Sequence, residues 1–105
     1  MSDAPKSFFL SPEIHAYRLD HGATPDAVQR GLIEETAKLG GISPMQIAPE
    51  QGAFMTLLAR VIGARSAVEI GTFTGYSALS IARGLPEDGR LLCCDVSDGT
   101  LSGRR

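Results

Sequence analysis

Two acids and two glycines carry the chemistry that this sequence offers. Glu69 sits in a short β-branched run, Ser66-Ala67-Val68-Glu69-Ile70, two residues ahead of Gly71, and Gly75 follows four residues later. Asp95 lies 26 residues beyond Glu69 and closes a second apolar run, Leu91-Leu92-Cys93-Cys94. In an open α/β sheet, ligands bind outside the carboxyl ends of the strands, which makes residues 69–75 and Asp95 candidates for one shared site. The glycines let the backbone approach a ligand closely. An acid at Glu69 repels a phosphate and favours a cationic group, such as an ammonium or a sulfonium. A carboxylate at Asp95, ending the neighbouring strand, can accept hydrogen bonds from the vicinal hydroxyls of a ribose. An adenosine that carries a positive centre suits both acids.

Other ligand chemistries fit less well. A dinucleotide site wants G-x-G-x-x-G so that the backbone meets a pyrophosphate at a helix N-terminus, and here Phe73 stands in place of the middle glycine. A Walker-type phosphate loop is excluded because no Gly-Lys-Ser/Thr occurs. A formal net charge of -2, with only Arg104 and Arg105 as adjacent basic residues, gives no electrostatic footprint for nucleic acid or for an anionic membrane. There is no apolar stretch of the roughly 20 residues that a membrane span requires, and no signal-peptide pattern near Met1. A cytoplasmic location is the expectation. Cys93 and Cys94 are adjacent and would point to opposite faces of a strand, so they read as two small buried residues in a reducing compartment. His15 and His21 read as structural, with His21 placed where a helix C-terminus favours its charge.

The elements that position these residues follow from punctuation and periodicity. With 43% hydrophobic and 21% charged residues, the 105-residue sequence has the composition of one globular domain. Ser11-Pro12 starts a helix over residues 12–20, and Thr24-Pro25 starts a second in which Val28, Leu32, Ile33, Thr36 and Leu39 recur at helical spacing until Gly40-Gly41. Residues 43–48 read as an extended connection. A third helix runs over 49–62, with Phe54, Leu57, Leu58, Val61 and Ile62 as one apolar stripe. The pattern then changes to strand (66–70), glycine turn, helix (76–83, with Ala78, Ile81 and Ala82 on its inner face), turn and strand (91–95). That is a βαβ unit, whose strands pair in parallel. The chain therefore divides into a helical segment (1–64), a βαβ unit (65–97) and an irregular tail (98–105).

These motifs together resemble the catechol and caffeoyl-CoA O-methyltransferase family. The segment Val68-Glu69-Ile70-Gly71-Thr72-Phe73-Thr74-Gly75-Tyr76-Ser77 is similar to the family's E-x-G-T/V-x-x-G-Y-S motif. Met45-Gln46-Ile47-Ala48-Pro49-Glu50-Gln51-Gly52 and Leu85-Pro86-Glu87-Asp88-Gly89-Arg90, with Cys94-Asp95, resemble its flanking segments, so the likeness spans residues 6–97. The resemblance implies an α/β, Rossmann-like fold of class I methyltransferases and S-adenosyl-L-methionine as cofactor. By it, Glu69, Gly71, Thr72, Ser77 and Asp95 line the cofactor pocket, and Ile47 contacts the cofactor where some members carry Thr. Met45 sits near the methyl acceptor, and Lys6 lines up with a lysine that contacts the acyl-CoA substrate in plant members. The implied reaction is methyl transfer to a hydroxyl of a small catechol- or phenylpropanoid-like acceptor, held by a divalent metal of the Mg2+ type. The family's metal ligands lie on later strands that this sequence does not include.

After Val96-Ser97 the family continues into a helix, whereas this sequence reads Asp98-Gly99-Thr100-Leu101-Ser102-Gly103-Arg104-Arg105. Two glycines without apolar periodicity oppose that helix, and the ending reads as a truncation or an altered reading frame. The expected consequence is marginal stability with a tendency to self-associate, a homodimer included, and a site incomplete for turnover. The alternative is a non-catalytic cofactor-binding or subunit-interaction fragment; a dinucleotide oxidoreductase fragment is disfavoured by Phe73.

Overall fold

The computed structural model describes residues 9–96. Lys6 and the 98–105 tail lie outside them. Helix α1 (Pro12–His21) starts as expected, with the Ser11 hydroxyl accepting the Ile14 N–H at 3.2 Å and Pro12 in the first turn. Helix α2 (Ala27–Ala37) starts later than Thr24-Pro25 suggests, because Asp26 is the cap. Asp26 accepts the Gln29 N–H at 2.9 Å while Gln29 Oε1 accepts the Asp26 N–H at 2.9 Å, a reciprocal capping box. The connection expected to be extended is instead a 3-10 helix (Gly40–Met45), opened by Gly40 at φ 72°; the backbone straightens only at Gln46, with φ -68° and ψ 137°. Helix α3 (Pro49–Val61) ends ahead of Gly63, whose φ of 66° is the left-handed conformation that commonly follows a helix.

Strand β1 (Ser66–Ile70) occupies the residues expected of it, helix α4 (Tyr76–Gly84) crosses over, and β2 (Arg90–Cys94) returns parallel to β1. Ser66 pairs with Arg90 and Ile70 with Cys94, so both carboxyl ends lie side by side. Strand β2 begins one residue earlier than the apolar run because the Arg90 N–H is held by the Arg65 carbonyl at 2.9 Å. It also ends one residue earlier, which leaves Asp95 off the ladder.

Packing differs from the apolar stripes more than element boundaries do. The α3–α4 interface is built on small and polar residues: Gly52, Thr56 and Ala59 face Tyr76, Ser80 and Gly84. The Thr56 hydroxyl donates to the Ser80 carbonyl at 2.6 Å, and both Tyr76 and Ser80 are buried. Backbones approach so closely that a Cβ at Gly84 would lie 2.6 Å from the Thr56 carbonyl oxygen. The expected stripe of Phe54, Leu57, Leu58, Val61 and Ile62 is exposed instead, and of the residues expected inside α4, Ala78 and Ile81 are half-buried and Ala82 is exposed. The sheet is covered on one face only. On the other, Val68, its register partner Leu92, and Ile70 are exposed, Ile70 to 87%. Cys93 and Cys94, expected to be buried, are exposed free thiols, with no neighbour among the described residues covering them.

His15 is buried within α1, whereas His21 stacks on Tyr17 with ring centroids 3.9 Å apart and its Nδ1–H donates to the Tyr17 carbonyl at 2.9 Å. An ion pair from Arg83 to Asp26 ties α4 to the start of α2. Among the described residues no helix is long and apolar enough to cross a membrane.

Candidate functional site

The parallel register brings the two acids of the sequence to one end of the sheet. Glu69 is 9% exposed, and its Oε1 accepts a hydrogen bond from the Ser77 hydroxyl in the first turn of α4. Its Oε2 is buried and, among the described residues, has no hydrogen-bond partner. Buried polar atoms are nearly always paired, and a carboxylate oxygen removed from water without a donor is costly. Such an orphan at a strand end, beside a glycine loop, is a seat for a donor or a cation supplied by a ligand.

Between β1 and α4 the backbone makes a tight loop with three residues in the left-handed region: Gly71 at φ 90°, Phe73 at φ 52° and Gly75 at φ 99°. Glycine adopts that region freely, whereas at Phe73 it costs roughly 1–2 kcal/mol. The loop is held from the β2 side. The Gly71 N–H donates to the Cys94 carbonyl at 2.7 Å, the Thr72 hydroxyl donates to the same carbonyl at 3.3 Å, and the Phe73 N–H donates to Asp95 Oδ2 at 2.6 Å. Asp95 Oδ1 accepts the Val96 N–H at 2.7 Å. The second acid thus holds the loop of the first, and its position just off the ladder is what lets it reach Phe73.

From the other side the loop is held by a buried polar cluster. The Thr36 hydroxyl of α2 donates to Thr74 Oγ1 at 2.9 Å, and Gln46 Nε2 donates to Thr36 Oγ1 at 3.0 Å and, more weakly, to Thr74 Oγ1 at 3.5 Å. All three residues are buried. Sequence reasoning misses this cluster because Thr36 falls on the apolar period of its helix and Gln46 lies in a connector; the available signal is a polar residue at an inward-facing position.

The other residues singled out from sequence are placed as follows. Ile47 is half-buried just after the 3-10 helix, and Met45, at its end, is 66% exposed. Ser77 and Thr72 both direct their hydroxyl protons within the protein, to Glu69 and to the Cys94 carbonyl. A groove of about 260 Å³ between the start of α2 and the α3–α4 pair, lined by Thr24, Pro25, Arg60 and Arg83, does not include the acids.

The chain is similar to proteins of known family. A family model described as O-methyltransferase matches residues 20–102. Caffeoyl-CoA O-methyltransferase 1 of Zea mays is 37% identical over 94 residues, covering 88% of this chain and 36% of the maize protein. An O-methyltransferase from Bacillus cereus, solved in complex with SAH, matches with a TM-score of 0.77 at 30% identity, covering 86% of this chain and 40% of that one. The O-methyltransferase TomG from Streptomyces achromogenes, solved with SAM, gives a TM-score of 0.76 at 29% identity with the same coverage. The present chain therefore spans well under half the length of these proteins.

Proposed function

The chain belongs to the O-methyltransferase family, and from that membership we propose that it holds S-adenosyl-L-methionine at the carboxyl ends of β1 and β2, as the cofactor half of a methyl-transfer site. Its fold is the Rossmann-like α/β arrangement of the family. The observation that carries the reading is the buried, unpartnered Oε2 of Glu69 beside the glycine loop.

Glu69 offers that oxygen to the cationic part of the ligand, and Ser77 fixes the carboxylate's orientation through Oε1. Asp95 accepts from the ribose hydroxyls, while Gly71 and Thr72 bring the backbone to the ligand. Ile47 contributes an apolar contact and Met45 faces the acceptor; Lys6, outside the described residues, belongs to the acceptor side. When bound, the cofactor supplies an electrophilic methyl group. The acceptor in this reading is a hydroxyl of a small catechol- or phenylpropanoid-like molecule, as the maize relative's name suggests. A divalent metal of the Mg2+ type is implied by the family resemblance; among the described residues no group of three or more His, Cys, Asp or Glu could hold an ion.

The same reading assigns cofactor binding to the βαβ unit, residues 65–97, with the helical segment, residues 1–64, adding Ile47 on the cofactor side and Met45 and Lys6 on the acceptor side. It places the protein in the cytoplasm, where the exposed thiols Cys93 and Cys94 stay reduced. A homodimer is supported by the uncovered sheet face at Val68, Ile70 and Leu92. That face also favours the second reading, a non-catalytic cofactor-binding or subunit-interaction fragment.

Calorimetric titration of S-adenosylmethionine and S-adenosylhomocysteine, with NAD as control, tests the proposal on the wild-type protein and its Glu69→Ala and Asp95→Ala variants. Saturable binding of both adenosyl ligands, lost in each variant, is expected. A folded protein that binds neither, or that binds NAD equally, overturns it.

A further inference from the structure

We propose that Thr36 and Gln46 are positioning residues for the cofactor loop, so that the N-terminal helical segment sets the shape of the loop through its hydrogen bonds to Thr74. The inference deepens the cofactor reading above and rests on it only for its binding arm.

The starting point is the strain at Phe73. A non-glycine residue at φ 52° persists only where its surroundings over-determine the backbone. On one side Asp95 grips the Phe73 N–H at 2.6 Å. That bond holds the backbone entering Phe73, and the residue after it needs a hold of its own. Thr74 is the next residue, and its side chain is the one fixed by Thr36 and Gln46. Strain at residue 73 is thus clamped before and after it, by β2 on one side and by α2 and the 3-10 helix exit on the other. The following residue, Gly75, caps α4 in the left-handed region, and its N–H closes the turn on the Thr72 carbonyl at 3.0 Å. Release of Thr74 would let this turn open, tilt the first turn of α4 and carry Ser77 away from Glu69. The cluster is buried, so water is poorly placed to replace a lost member.

Coupling of this kind is reciprocal: a ligand that favours the closed loop must also tighten the hold of α2 on it. The end of α2 and the 3-10 segment should therefore become more protected when the site fills.

Thr36→Val keeps the shape of the side chain and removes the donor, Thr36→Ser restores it, and Gln46→Met removes the amide at similar length. Two readouts apply to each variant, with circular dichroism and thermal melts to establish folding. The first is amide hydrogen exchange of residues 71–75 in the unliganded protein, where Val and Met are expected to accelerate exchange at Phe73 and Gly75 and Ser to leave it near wild type. The second is S-adenosylhomocysteine affinity by calorimetry, expected to weaken roughly tenfold in Val and Met and to recover in Ser. Folded Thr36→Val and Gln46→Met proteins with wild-type loop exchange overturn the positioning role. Accelerated loop exchange in variants of a protein whose wild type binds no adenosyl ligand upholds the clamp and sinks the cofactor reading instead. If Thr36→Val does not fold, the Gln46→Met and Thr36→Ser pair decides on the same criteria.

Discussion

The closeness of α3 and α4 makes a sharp prediction from one chemical change at two places. At Gly84 an added methyl would meet the Thr56 carbonyl oxygen at 2.6 Å and the Ala59 Cβ at 2.7 Å. Neither atom sits at the end of a flexible side chain, so relief requires the helices to separate. That movement would stretch the Thr56 bond to the Ser80 carbonyl and loosen Tyr76 and Ser80. Overpacking of this kind costs about 1–3 kcal/mol. The gain in helix propensity for Gly to Ala is at most about 1 kcal/mol, and is less at the last residue of a helix. Gly84→Ala should therefore lose about 1–2 kcal/mol. At Gly31, inside α2, the same methyl meets nothing within 4 Å. There the propensity term acts alone, and Gly31→Ala should gain about 0.5–1 kcal/mol. Since 1 kcal/mol moves the midpoint of a domain this size by roughly 4–8 °C, thermal melts should separate the variants in opposite directions. Urea midpoints with unchanged slopes would assign the shifts to the native state. A Gly84→Ala protein that melts above wild type would refute the close crossing, and with it the account of why the apolar stripe of α3 faces outward.

Other outcomes follow from the site and the surface. Glu69→Gln keeps an acceptor for Ser77 but replaces the unpartnered carboxylate oxygen by a neutral amide; calorimetry should show adenosyl-ligand binding weakened roughly 10- to 100-fold with a melting temperature equal to or above wild type. A variant that melts lower and binds as before would show that Glu69 serves the fold rather than a ligand. The Gln29 N–H, and after it Arg83, hold the Asp26 carboxyl below its ordinary value of 3.8. Its folded pKa lies under the unfolded one, so its contribution is present above the unfolded value and disappears as the pH falls through the folded one. Melts of wild type and Asp26→Asn should differ at neutral pH and converge in acid; a gap that does not shrink as the pH falls below the ordinary carboxylate range would point to another cause. Val68→Lys places a charge on the uncovered sheet face, and light scattering should show less self-association than wild type, with no change expected if that face is uninvolved.

Legibility in the sequence follows how local each determinant is. Ser66–Ile70 is readable because a short run carrying Val68 and Ile70 stops abruptly at Gly71, as a parallel strand does before its turn, and the carboxyl ends of both strands follow from the βαβ order. The start of α2 is misplaced by sequence because Thr24-Pro25 imitates a cap while the reciprocal pair Asp26 and Gln29 makes one. Helix faces are harder. Apolar periodicity selects Phe54, Leu57 and Val61, but the contact with α4 is decided by how near two backbones come, and that favours Gly52, Ala59 and Gly84. The acids Glu69 and Asp95 are recognisable from type and position alone. The Phe73 grip and the Thr36–Gln46–Thr74 cluster are not, since hydrogen bonds across 22 and 38 residues leave no periodic trace.

That last separation has a consequence for how the protein acquires its shape during synthesis. Helices α1 and α2 have 10 and 11 residues, below the roughly 12–15 at which isolated helices hold together in water. They emerge from the ribosome before any strand exists, with only their caps to sustain them. The anchor for α2, Thr74, arrives 38 residues after Thr36. Loop contacts of the βαβ unit close over only 22 residues and its strand pairs over 24, and loop-closure entropy rises with length, so that unit should condense as soon as Asp95 is free. The first-made part of the fold would then be the last to find its place.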